Sequence, residues 1–193
     1  MIVGDCRVFA IESDITDAVE NPSQLALGFF VIHVGGRIFG VRQPDASLLG
    51  CSFNQVEDRL QRRGTHLFDM LADIKAADVA VAYLDALYRD RPRTDYFGLS
   101  QQQFANTLHS SGSIWAPDGD EAFDDGSHIL QFEVGSRVRI IAFSNTESPD
   151  DLSDAVKEEW MDADLFYAIV SGWKTLFEVD RSSRRRAKSR SRP

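Results

Sequence analysis

Cysteine is nearly absent from this chain. Cys6 and Cys51 are the only two in 193 residues, and they stand far apart, so a disulfide framework is not expected and two reduced thiols in a cytosol are the default. Histidine is sparse as well: His33, His66, His109 and His128 are scattered without the close spacing of a zinc helix, and no metal site is expected. No apolar run approaches the roughly 20 residues that span a bilayer, and the first residues lack a basic stretch followed by an apolar one. The expectation is a cytoplasmic chain, neither secreted nor membrane-bound. The 13 glycines form no phosphate-loop or dinucleotide pattern, and no Gly-x-Ser-x-Gly elbow occurs. With these signatures missing, no cofactor and no catalytic residue are assigned.

Charge of one sign is short too, and its distribution is uneven. Arg181, Arg184, Arg185, Arg186, Lys188, Arg190 and Arg192 are seven basic residues with no acidic one after Asp180, which leaves 14 basic against 30 acidic residues in the first 180, a net of −16. Such a body repels nucleic acid and membranes, and it can speed the approach of a basic protein toward ~10⁸ M⁻¹s⁻¹ at low salt. The Arg/Ser-rich segment 181–193 has no apolar periodicity and is expected to be disordered. It is either a solvated terminus that screens the body or a segment that binds RNA phosphates.

What is present is enough for one core, since 43% of the residues are hydrophobic. Arg7 to Ile15 reads as a strand with Phe9, Ile11 and Ile15 on one face. Leu25 to Val34, Gly35-Gly36 and Arg37 to Val41 read as a hairpin, with Ile32 opposite Phe39 and Phe30 opposite Val41, and with Phe29, Val31 and Ile38 making the other face apolar too, so that both faces are expected to be covered. Ser52 with Gln55, and Ser100 with Gln103, have the spacing of capping boxes for helices over 53–63 and around Phe104 and Leu108. Ile74, Ala77, Val81, Leu84 and Tyr88 mark a helix over 73–89, which Pro92 stops. Asp162 is a good N-cap for a last helix to about residue 178, whose apolar stripe includes Leu165, Phe166, Ile169, Val170, Trp173, Leu176 and Phe177. The fold class is a single α+β domain over residues 1–180, with a largely antiparallel sheet, packed helices and a disordered basic tail.

Residues 112–145 hold the clearest candidate site. Asp118, Asp120, Glu121, Asp124 and Asp125 crowd five carboxylates into eight positions, beside the turn formers Pro117 and Gly119, and Trp115 precedes them. The loop is expected to stand in water as a partner-binding surface, with Trp115 as a hot-spot anchor. It lacks the terminal glutamate of an EF-hand loop. Two strands follow, Ile129 to Val134 and Val138 to Phe143. A three-residue loop between them sets Phe132 opposite Ile140, Val134 opposite Val138 and Glu133 opposite Arg139, which gathers apolar residues on one face and pairs charges on the other. A two-residue turn at Gly135-Ser136 would instead put Phe132 opposite Arg139.

Several segments together resemble a known family. Met1-Ile-Val-Gly-Asp5, Phe9-Ala-Ile-Glu12, Leu27-Gly28, Phe39-Gly-Val41, Arg63-Gly-Thr-His66 and Trp115-Ala-Pro-Asp-Gly-Asp-Glu-Ala-Phe-Asp-Asp-Gly126 resemble the immunity protein 42 family of bacterial polymorphic toxin systems. The likeness covers about residues 1–177 and omits the tail. It implies a cytosolic antidote that binds and neutralises a cognate toxin, and the charge of the body suits a basic one. Two other readings stay open: a small hydrolase that uses loop carboxylates and a histidine in a deep pocket, and an RNA-associated accessory protein acting through the tail.

Overall fold

The structure is a computed structural model that describes residues 1–89, 93–115, 120–146, 152 and 154–190. Pro92 and Asp118 fall outside them. Two antiparallel sheets organise the chain. The first contains β1 (Ile2–Asp5), β2 (Phe9–Ala18), β3 (Ala26–Val34) and β4 (Arg37–Phe39) in that order, with β5 (Ser47–Leu48) beside β3. The second is β6 (Ser127–Val134), β7 (Arg137–Ser144) and β8 (Lys157–Asp162). Among the described residues, these helices accompany them: α1 (Gly50–Gln61), α2 (Ala76–Tyr88), α3 (Gln101–Ser110) and α4 (Ala163–Arg190).

The first hairpin follows its pattern. Gly35 and Gly36 adopt φ of 57° and 77°, the left-handed region that glycine enters without steric cost, and Ile32 lies opposite Phe39. Strand β4 then ends two residues early. Gly40 takes φ of 106°, and the Val41 amide turns away to donate to the Ala122 carbonyl at 2.8 Å, so the expected Phe30 and Val41 pair does not form. Strand β1 was not expected. It pairs with β2 from Ile2 opposite Glu12 to Asp5 opposite Phe9.

The second hairpin corrects the sequence reading. Its turn is the two-residue one, with Phe132 opposite Arg139, Glu133 opposite Val138 and Val134 opposite Arg137. The three-residue loop would gather the apolar residues on one face and the charges on the other, yet both faces are covered. Ile129, Val138, Ile140 and Ala142 join a core shared with the first sheet, α1 and α4. Leu130, Phe132, Ile141 and Phe143 join a second core under α2 and α3. Arg139 sits among the latter at 1% exposure, where it donates to the carbonyls of Leu71 and Ile74 and pairs with Glu158 at 2.8 Å. A buried guanidinium with its donors filled is tolerated there, so charge did not select the register.

Helix ends divide in the same way. Both halves of the Ser100 and Gln103 box are formed, with Gln103 Oε1 accepting from the Ser100 amide at 2.9 Å. The Ser52 box is not. Helix α1 starts at Gly50 without a side-chain cap, because its first turn lies on the Ser23 carbonyl so closely that a Cβ on Gly50 would come within 1.9 Å of the oxygen; Ser52 is buried inside the helix. Asp162 caps α4 as expected, accepting from the amides of Asp164 at 2.8 Å and Leu165 at 3.2 Å. The buried stripe of α4 is narrower than its apolar residues suggest, since Leu165 and Leu176 are half-exposed.

The basic tail is a second correction. Helix α4 continues as far as Arg190 instead of becoming irregular at residue 181. Arg181 donates to the carbonyls of Leu25 at 2.8 Å and Val19 at 3.1 Å, while Arg184 meets Asp14 at 3.5 Å and Lys188 meets Asp17 at 2.7 Å. The acidic edge of β2 supplies partners that the local sequence does not reveal.

Candidate interaction surface

The acidic loop is anchored from beneath. Trp115 is fully buried, with ring contacts to Phe9 and Phe166 and the Arg59 guanidinium 4.3 Å above its ring. Arg59 is itself buried, and it donates to Gln131 Oε1 at 2.9 Å and to the carbonyls of Gly112 at 3.0 Å and Ile114 at 2.6 Å. Burial lowers its pKa to about 9, which leaves it a cation at neutral pH. Trp115 therefore has no surface to offer a partner. Its expected role as an anchor is corrected to one in the core, where an indole can hold both a cation and two aromatic rings.

The carboxylates separate into two kinds. Asp120 is buried, accepts from the Ala122 amide at 3.1 Å and lies beside Cys51; burial pushes its pKa up. It acts as a cap and presents almost nothing to solvent. Glu121, Asp124 and Asp125 are exposed. Asp125 accepts from Ser127 at 3.0 Å and Gly40 at 3.2 Å, and Glu121 reaches the Leu48 amide at 3.4 Å. These bonds tie the loop to the first sheet, so three surface charges are held on a fixed support. Fixed charges need less ordering on association than mobile ones.

Other polar groups come together where the sequence reading did not place them. Glu12 and His33 on neighbouring strands meet at 2.9 Å, and Arg42 reaches over to Glu12 at 2.7 Å. Burial alone would raise the Glu12 pKa, but hydrogen bonds from Arg42 and His33 outweigh it and hold the carboxyl below its usual range. The hydrolase reading needs a raised carboxyl against a histidine, and neither Asp120 nor Glu12 supplies that pair. Among the described residues, no group of three His, Cys, Asp or Glu side chains is placed to hold a metal, and no helix is long and apolar enough to cross a membrane.

The chain is similar to known proteins in sequence and, separately, in fold. The sequence model of the immunity protein 42 family matches residues 1–176. Among solved structures, the crystal structure of CdiI from Burkholderia dolosa AUO158 is similar in fold, with a TM-score of 0.55 and 18% identity over 89% of this chain and 97% of that one. No curated protein sequence matches.

Proposed function

The chain belongs to the immunity protein 42 family, and on that premise we propose that it binds and neutralises a cognate bacterial toxin through an acidic surface, inside the cell that makes it. Family membership is the observation that carries this reading. The exposed carboxylates of Glu121, Asp124 and Asp125 on a pinned loop support the finer part, because charges of one sign on a rigid support steer a basic partner. The fold likeness to a protein titled CdiI agrees in kind. Neutralisation by occlusion needs about 800 Å² of each partner, with a few anchors providing most of the affinity. Trp115 is not among them.

The test is co-expression with the toxin domain encoded by the adjacent gene. Cells carrying both survive, and cells carrying the toxin alone do not. Glu121→Gln combined with Asp124→Asn lowers the association rate about threefold to tenfold at low salt and flattens its dependence on ionic strength. Unchanged association across salt rejects the electrostatic surface, and failure to rescue rejects neutralisation.

A further inference from the structure

Beside the β6–β7 turn lies a second acidic feature. Glu133 is 5% exposed. Its Oε1 accepts from the Tyr167 hydroxyl and from the Gly64 amide at 3.1 Å. Its Oε2 has no hydrogen-bond partner. A carboxylate oxygen buried in this way costs roughly 1–3 kcal/mol or more, and protein interiors seldom leave one unfilled.

Glu133 lines an open depression of about 210 Å³, together with Arg63, Ser136, Asp162 and Asp164. Asp162 and Asp164 are exposed at its rim. Asp162 Oδ1 is engaged by the α4 amides, and Arg63 pairs with Asp164 while its guanidinium lies 4.9 Å from the Tyr167 ring. Three carboxylates and one guanidinium thus line the depression, and the unpartnered oxygen belongs to the buried one of the three. An unpartnered acceptor favours a hydrogen-bond donor, and the surplus negative charge favours a cation. A bare metal ion fits poorly, because hard cations take six to eight oxygens at about 2.3–2.6 Å and no such cluster is formed among the described residues.

We propose that this depression receives one lysine or arginine side chain of the toxin, which donates to Glu133 Oε2 and sits between the carboxylates of Asp162 and Asp164. The inference rests on the neutralisation reading for the identity of the donor, and on Glu133 alone for the existence of the site. It makes Glu133 a specificity residue: a partner that offers a neutral group there leaves the carboxylate buried and unpaired, which is the costlier state.

Two measurements test it. In the first, N-acetyl-arginine amide is titrated into the ¹⁵N-labelled full chain, with the neutral citrulline analogue as control. The amides of Gly64, Ser136 and Ala163 are expected to shift saturably with the arginine derivative only. Glu133→Gln, which keeps an acceptor for Tyr167 and Gly64, abolishes the shifts. So does Ser136→Phe, which fills the depression from an exposed turn and keeps the site testable if the first variant does not fold. Absence of saturation, or an equal midpoint in both variants and the parent, overturns the site. In the second, the Kd for the toxin domain rises about tenfold or more in Glu133→Gln. An unchanged Kd overturns the inference and leaves neutralisation standing, whereas a parent chain that takes the arginine derivative but never binds the toxin domain overturns the neutralisation reading and the identity of the donor.

Discussion

The two hairpins have turns of the same length and different surroundings. In the first, Gly35-Gly36 joins strands whose inner face packs on the core through Phe30, Ile32 and Phe39, while the other face is only partly open: Val31, Glu12 and His33 are buried, and Ile38 and Arg42 meet water. In the second, Gly135-Ser136 joins strands that are covered on both sides, so Gln131, Glu133 and Arg139 are interior groups. Alternation of apolar and polar residues identifies a register only where water lies on one side. Once both faces are dry, a polar residue reports a buried hydrogen-bond network and says nothing about which way the strand faces.

The sharpest way to break this contrast is to remove the interior charge. Arg139→Met strands the carbonyls of Leu71 and Ile74 and leaves Glu158 without its cationic partner, and it is expected to cost about 3–5 kcal/mol in urea unfolding. Arg37→Met at the equivalent turn of the first hairpin, where the side chain is only partly buried and donates to the Ala155 carbonyl, should cost less than about 1 kcal/mol. Equal losses would end the distinction.

A smaller effect comes from the first sheet. Glu12→Gln should lower stability by about 1–2 kcal/mol at neutral pH, reduced by the exposure of Arg42 to solvent. Because the Glu12 pKa is depressed in the folded chain, its contribution is present above the ordinary carboxylate value and is lost as pH falls through the folded one. The gap between parent and variant therefore closes in acid, as a pH series of unfolding free energies would record.

Asp120 is expected to behave with the opposite sign. Its folded pKa is raised by burial, so the charged form is a burden that appears as pH rises through that value. Asp120→Asn keeps an oxygen for the Ala122 amide and should stabilise the chain by about 1 kcal/mol at pH 7, with no gain at pH 3. The smallest change is at the surface: Arg184→Ala removes contacts with Asp14 and Asp180 and should move the unfolding free energy by no more than about 0.5 kcal/mol.

Much of the fold was legible because it is written in local chemistry. The Gly35-Gly36 turn, the Ser100 and Gln103 box and the Asp162 cap each need only neighbours within a few positions. What was missed depends on distant partners. The start of α1 is decided by the Ser23 carbonyl, the helical state of residues 181–190 is supported by Asp14, Asp17 and the carbonyls after β2, and Trp115 is claimed by Arg59. The same holds for the site. Glu121, Asp124 and Asp125 stand on the surface as their composition suggests, but the register that sorts apolar residues from charges pairs Glu133 with Arg139. The slip of one residue turns those two side chains to opposite faces of their sheet.

The last helix also decides when the molecule can exist. Trp173 donates to Ser13 across 160 positions, and Phe166, Val170 and Phe177 complete the core that β2 and β3 begin. During synthesis at about 5–20 residues per second, the opening strands wait on the order of ten seconds for that lid. The first sheet cannot finish folding on the ribosome ahead of α4, so a nascent chain cut short anywhere before Trp173 leaves its aromatic floor bare and is material for proteases.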